Sequence, residues 1–93
     1  MSLQIVHDSA DHRFSVDVDG VNCELDYRLA GSVMTIIHTG VPERVAGRGI
    51  ASQLMMAALD SARAAGWKVL PACSFAVAFM RKHPEFEDLR FHG

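Results

Sequence analysis

The hydrophobic pattern of this chain changes its period at Pro42, and that change limits the fold more than any other feature. Before Pro42, apolar and polar residues alternate, which is typical of strands with one buried face. From Ile50 onward, apolar residues recur every three or four positions, as they do in an amphipathic helix. The pattern predicts an α+β domain, in which antiparallel strands are followed by helix, strand and helix, and the helices pack on the sheet.

The first half predicts three strands. Residues 13–18 and 21–29 both alternate, and Asp19-Gly20 between them is a two-residue hairpin signal. Residues 33–39 form the third strand, and because they carry apolar side chains on both faces, we expect both faces to be covered. The pattern also leaves room for a short strand around Gln4–Val6.

The second half predicts two helices with a strand between them. The first helix begins at Ile50 and ends at Gly66, a residue suited to a left-handed C-terminal position. Residues 67–72 predict a short strand, and the proline within them places its end near an edge or a bulge. Ser74 is expected to cap the second helix, which Pro84 stops.

Size and charge exclude several classes of protein. The 93 residues suit one domain, spanning 1–93, and the net charge of −2 gives no global attraction for nucleic acid. No apolar run is long enough to span a bilayer, and the start lacks the features of a secretory signal. We therefore expect a cytoplasmic protein with no membrane partner, in which Cys23 and Cys73 are thiols. The histidines are scattered without metal-ligand spacing, so no metal is expected.

The segment Arg44-Val-Ala-Gly47-Arg48-Gly49 precedes the first helix and predicts an anion site. Its glycines let the backbone approach a ligand closely, and the N-terminus of a helix attracts phosphate. Arg44 and Arg48 add positive charge. The alternative is a turn that only starts the helix. The segment is neither a P-loop nor a dinucleotide fingerprint, because it lacks the lysine of the one and the third glycine of the other.

Four motifs occur in order along the chain and give it a family resemblance. They are His38-Thr39-x-Val41-Pro42, Gly47-Arg48-Gly49-Ile50-Ala51, Pro71-x-Cys73-Ser74-Phe75 and His83-Pro84-Glu85-Phe86. Together with the spacing R-x-x-G-x-G before an amphipathic helix, this set resembles the compact, single-domain branch of the GNAT-type N-acetyltransferase superfamily. The resemblance covers residues 13–89.

The resemblance implies a minimal GNAT-like fold whose sheet opens to admit the pantetheine arm of acetyl-CoA. The loop before the first helix would bind the pyrophosphate of coenzyme A, and the end of the third strand would pair with the pantetheine amides. The cofactor-binding residues it implies are Val41, Arg44, Val45, Ala46, Gly47, Arg48, Gly49, Ile50 and Ala51.

Cys73 and His38 are the predicted catalytic residues. Cys73 precedes the second helix, where a thiolate is stabilised, and the resemblance places the Pro-x-Cys-Ser position near the acetyl thioester. His38 lies near the end of the third strand and has a suitable reference pKa for a base. The alternatives are a small buried cysteine and a core histidine, since Met34 and Ile36 alternate with His38.

The resulting hypothesis is an acetyltransferase that moves an acetyl group from acetyl-CoA to an amine or a thiol. Either Cys73 forms an acetyl-enzyme with His38 as base, or the acceptor attacks the thioester directly. The acceptor would be a small molecule or a protein amine. The alternative is a non-catalytic acyl-CoA-binding module. We expect a monomer or a weak dimer, since so small a domain leaves a sheet edge open.

Overall fold

The computed structural model describes residues 3–92, so residues 1, 2 and 93 of the predicted domain lie outside the described part. Five strands form one sheet in the order β1-β2-β3-β4-β5. Their bounds are β1 Val6–Asp8, β2 Arg13–Val18, β3 Val21–Ala30, β4 Val33–Gly40 and β5 Lys68–Pro71. The helices are α1 Ile50–Ala65 and α2 Ser74–Lys82, with short 3₁₀ helices at Glu43–Val45 and Pro84–Leu89.

The strands pair antiparallel from β1 to β4, and β5 pairs parallel to β4. The predicted hairpin is confirmed, because Val18 pairs with Val21 across the turn. Asp19 and Gly20 have φ values of 51° and 75°, and positive φ at both central residues is what this tight turn requires. The predicted α+β class is also confirmed, and the short first strand begins at Val6 instead of Gln4.

Both α-helices lie on one face of the sheet. Helix α1 packs on β2 to β5, and α2 contacts α1, β4 and β5. Alternate residues of the strands, such as Phe14, Leu25 and Ile36, are fully buried beneath the helices. On the other face Ile37 and Leu70 are each 39% exposed, so the prediction that both faces of β4 are covered is wrong. We call the two sides of the sheet the helix face and the open face.

The helix ends follow from local chemistry, with one correction. Helix α1 spans the predicted residues, and Gly66 ends it with φ 77°. Helix α2 begins at Ser74, but its N-cap is Cys73, which has extended backbone angles and makes no side-chain capping bond. The prediction that Ser74 caps this helix is wrong, because Ser74 is already the first helical residue.

Pro84 starts a further element as well as ending α2. It is at the beginning of the 3₁₀ helix Pro84–Leu89, where its fixed φ is favourable and its missing N–H costs nothing. Phe86 and Leu89 pack into the core, and Arg63 of α1 forms an ion pair of 2.7 Å with Asp88. This segment therefore closes one end of the core beside α1.

A β-bulge in β4 positions the candidate site. The pairing of β3 with β4 shifts between Asp26 and Tyr27: Tyr27 pairs with Ile36, whereas Asp26 pairs with His38. Ile37 is thus an extra residue, and the alternation of side chains changes phase after it. As a result, residues beyond Ile37 face the opposite way from that expected of a regular strand.

Candidate active site

The sheet opens between β4 and β5. Their pairing ends at Ile36 and Pro71, and the N–H groups of Ala72 and Cys73 both donate to the carbonyl of Ile36, at 2.9 and 3.2 Å. The chain then turns into α2, so within residues 3–92 no strand pairs with the β5 side of residues 37–40. A free length of backbone therefore runs from the start of α2 toward the loop before α1.

Cys73 lies where the two strands separate. It is half-buried, packs against the edge of the core and is a free thiol. Its Sγ atom lies 3.7 Å from Oγ1 of Thr39. Cys23, by comparison, is fully buried on β3, and burial raises the pKa of its thiol. The thiol at the opening is thus the accessible one of the two, as a reactive cysteine must be.

His38 extends to the open face, away from Cys73. Its register partner is Asp26, and its ring nitrogen lies within 4.8 Å of carboxylate oxygens of Asp26 and Glu24. The alternative of a core histidine is wrong, because His38 is exposed. The partner of Cys73 is Thr39, which pairs with the buried Leu25 and so faces the helix side.

Sequence pattern alone missed Thr39. In a regular strand His38 would share a face with Met34 and Ile36, and Thr39 would point to the open face. The bulge at Ile37 exchanges the two. No residue type in β4 marks that position as a bulge, so the only available signal was that Thr39 is polar and adjacent to His38.

The loop before α1 has two buried anchors. Val45 and Ile50 are each 2% exposed and hold the two ends of the loop in the core. The N–H of Val45 donates to Pro42 at 3.0 Å, and that of Ala46 donates to Glu43 at 3.1 Å. Val45 and Ile50 are two of the nine residues expected to bind the cofactor. Because their side chains are buried, they contribute mainly to the shape of the loop.

The remaining donors lie at the start of α1. Gly47 and Gly49 have φ values of 82° and 75°, and a Cβ atom on either would meet nothing within 4 Å. Gly49 is the N-cap, and Gln53 makes the first intrahelical bond, to the carbonyl of Gly49 at 3.1 Å. The N–H groups of Ile50 and Ala51 therefore have no partner in the helix. No acidic residue occupies the first turn, so the positive end of the helix dipole is not neutralised.

The two arginines of the loop differ. Arg44 is exposed and takes part in none of the ion pairs formed within residues 3–92. Arg48 donates to Asp19 on the hairpin between β2 and β3, at 2.6 Å. Arg44 is therefore available to an anion without breaking a contact, whereas Arg48 must leave or share its partner.

The side chains of Glu24, Asp26 and His38 lie close enough together to share a cation. Arg13 already supplies a positive charge there. The Nε atom of Arg13 lies 3.0 Å from Glu24 and 2.7 Å from Asp26. This guanidinium offsets one of the two carboxylate charges and repels a metal ion. The cluster is therefore accounted for as an ion-pair network on the open face.

A groove of about 490 Å³ lies elsewhere, beside β1 and the β2–β3 hairpin. Leu3, Val6 and Val18 line it, together with Asp19 and Asn22. It contains neither Cys73 nor the glycines of the loop. Its position therefore adds nothing to the chemistry at the opening of the sheet.

A sheet that opens between two parallel strands, with a glycine loop leading into the helix that joins them, defines a GNAT-type fold. A family model described as GCN5-related N-acetyl-transferase matches residues 13–89, and the chain belongs to this family.

Relatives support the same assignment. Protein NATD1 of Gallus gallus is 31% identical over 85 residues, which are 88% of this chain and 77% of that protein. Protein NATD1 of Danio rerio is 30% identical over 95 residues, covering 97% and 86%. The NMR solution structure of a GCN5-like protein from Staphylococcus aureus superposes with a TM-score of 0.76 at 28% identity, over 96% of this chain and 88% of that one. Within residues 3–92, no helix is long and apolar enough to cross a membrane.

Proposed function

We propose that this protein transfers an acetyl group from acetyl-CoA to an amine, with the thioester placed at the opening between β4 and β5. The observation that carries the proposal is the free length of β4, residues 37–40, which connects Cys73 at the start of α2 with the loop before α1. A ligand with an anionic end and an amide-containing arm matches this arrangement. Coenzyme A has both.

The pyrophosphate would bind at the start of α1. Gly47 and Gly49 leave open space above the backbone, and the first N–H groups of the helix lack partners. Arg44 supplies an unpaired positive charge beside them. A helix N-terminus carries about +0.5 of an elementary charge and is suited to binding phosphate.

The pantetheine arm would follow β4 from Val41 toward Cys73. Beyond Ile36 this edge has lost its pairing with β5, so its backbone groups can hydrogen-bond to the amides of the arm. The added arm would act as a short strand on an open edge. It would deliver the thioester to the half-buried thiol of Cys73.

The covalent route accounts for Cys73. Its thiolate would attack the acetyl carbon, a new C–S bond would form, and the thiolate of coenzyme A would leave and take up a proton. The acceptor amine would then attack the acetyl-cysteine, releasing Cys73 and giving up a proton. Because His38 is exposed on the face opposite Cys73, it would receive that proton through bridging water and not by direct contact. In the direct route the amine attacks acetyl-CoA itself, and Cys73 has no covalent role.

Intact-protein mass spectrometry after incubation with acetyl-CoA tests the proposal. We expect a complex under native conditions and one acetyl group on Cys73 after denaturation. A complex that leaves no covalent acetyl group contradicts the covalent route, and binding without transfer to any amine supports the non-catalytic module. If no complex forms, the proposed cofactor site is wrong.

Gly47→Ala with Gly31→Ala as control tests the position of the pyrophosphate. Both glycines have positive φ, 82° and 60°, and open space around them, so alanine costs each about 1 kcal/mol of backbone strain. Gly31 lies at the other end of β4, in the turn after β3. We expect loss of acetyl-CoA binding in Gly47→Ala alone. Equal binding by both variants would contradict the placement.

A further inference from the structure

We propose that Thr39 is the positioning residue for Cys73, holding the thiol at the opening of the sheet and donating a hydrogen bond to its thiolate. This inference depends on the proposed function in one respect only, which is that Cys73 acts as a nucleophile. The partner of Cys73 is then a residue of the helix face, whereas His38 lies on the open face.

The bulge in β4 creates the pair. Because Ile37 is an extra residue, Thr39 pairs with the buried Leu25 and faces the helices, while His38 pairs with Asp26 on the open face. The Thr39 hydroxyl then lies 3.7 Å from the Cys73 sulfur, 34 residues away in sequence. Without the bulge, this strand would present a histidine to the thiol and the threonine to solvent.

The hydrogen bond has one possible direction once the thiol ionises. A neutral thiol can donate or accept, but a thiolate has no proton and can only accept. The N–H of Cys73 is already used, since it donates to the carbonyl of Ile36 at 3.2 Å. The Thr39 hydroxyl is therefore the side-chain donor that the structure offers to the thiolate.

Charged groups around Cys73 do not replace this bond. On β4, the titratable residue next to Thr39 is His38, whose side chain lies on the opposite face of the sheet. On β5, Lys68 is at the far end and donates to the carbonyl of Asp88. Helix α2 has no acid in its first turn, and its cations, Arg81 and Lys82, are in the last turn. The positive end of α2 adds to the effect of Thr39 and is unchanged by its substitution.

The pH dependence of Cys73 alkylation by iodoacetamide tests the pair without acetyl-CoA. A hydrogen bond to a charged acceptor is stronger than one to a neutral acceptor, so loss of the hydroxyl disfavours the thiolate more than the thiol. We therefore expect Thr39→Val to slow Cys73 alkylation at neutral pH by at least about tenfold and to shift the reaction to higher pH, because less thiolate is present. Thr39→Ser keeps the hydroxyl and should react with the same pH dependence as the wild type. Peptide mapping separates Cys73 from the buried Cys23.

Thr35→Val is the matched control. Thr35 is on the same strand but pairs with the exposed Arg28, on the open face, so its hydroxyl is remote from the thiol. This variant should react like the wild type. If Thr39→Val does not fold, Thr39→Ala, which adds no bulk, takes its place in the same assay.

Two results would overturn the inference: an unchanged pH dependence of Cys73 alkylation in Thr39→Val, or an equal slowing of alkylation in Thr35→Val. The assay also separates the two proposals. If Thr39→Val slows Cys73 alkylation but the wild type binds no acetyl-CoA, the Thr39–Cys73 pair is kept and the acetyltransferase is removed. If the wild type transfers acetyl groups but Thr39→Val leaves Cys73 alkylation unchanged, the reverse holds.

Discussion

Arg48 of the loop before α1 lies 2.6 Å from Asp19 of the turn between β2 and β3. Both side chains are at least half exposed, and such pairs contribute about 0.2–1 kcal/mol to stability. Asp19 has a positive φ of 51°, which an aspartate tolerates in this type of turn. The contact joins the hairpin to the proposed pyrophosphate site. It also places a carboxylate next to the expected position of an anion.

Asp19→Asn should therefore strengthen binding of coenzyme A by about two- to fivefold, the gain expected when an exposed ion pair no longer competes for Arg48. Calorimetric titration with coenzyme A measures this. Asp17→Asn is the control, because Asp17 is exposed on the same hairpin and contacts Asn22 instead of the loop. Weaker binding by Asp19→Asn would mean that Asp19 holds Arg48 in the binding position.

Arg44→Gln should weaken coenzyme A binding by about ten- to a hundredfold, since a hydrogen bond to a charged group contributes roughly 1.5–3 kcal/mol. The loss should shrink as salt concentration rises, because an exposed charge is screened. Arg81→Gln is the control: Arg81 is exposed and lies in the last turn of α2, away from the loop. Equal effects of the two substitutions would indicate a general charge effect and no site at Arg44.

The stability of the domain should fall in mild acid because of His7. Its Nε2 atom lies 2.7 Å from the Tyr27 hydroxyl, and its ring stacks on Phe14 at 4.0 Å. Burial, the largest cause, lowers the pKa of His7 below 6.5; Asp8 opposes this and His12 adds to it. Between the lowered pKa and 6.5, the unfolded chain binds more protons than the folded one. The free energy of unfolding therefore decreases as pH falls through that window.

Urea denaturation at several pH values from 7.5 to 5 measures this effect. His7→Phe is the matched variant, because phenylalanine keeps an aromatic ring against Phe14 but cannot take up a proton. Its stability should depend less on pH than that of the wild type in this window. If the stability of the two proteins depends on pH in the same way, then other groups control the loss of stability in acid.

Periodic elements of this fold could be predicted from sequence. The apolar stripe of α1 and the left-handed glycine at Gly66 set both ends of that helix, and the Asp19-Gly20 turn set the register of β2 against β3. These features are local, since each depends on residues a few positions apart. The loop before α1 follows for the same reason: positive φ at Gly47 and Gly49 is a property of glycine.

The bulge at Ile37 could not be predicted, because it depends on pairing with another strand. It reverses the faces of His38 and Thr39 and so decides which of them meets Cys73. Whether both faces of β4 are covered also depends on contacts between elements, because it depends on the face on which α2 packs. Alternation described the β2–β3 hairpin well and failed in β4 after the bulge, where the predicted catalytic residue lies.

The separation of His38 from Cys73 predicts that the two steps of transfer can be uncoupled. His38→Gln should still form acetyl-Cys73 but pass the acetyl group to an amine at least tenfold more slowly, because general-base assistance contributes about 10²–10⁴-fold. The acetyl-enzyme should then accumulate, which intact-mass measurements over time detect. Cys73→Ala should form no acetyl-enzyme, and Cys23→Ala, at the buried cysteine, should form it as the wild type does. If His38→Gln slows the formation of acetyl-Cys73 as much as it slows the transfer to the amine, then His38 acts on the thiol although it faces the other side of the sheet.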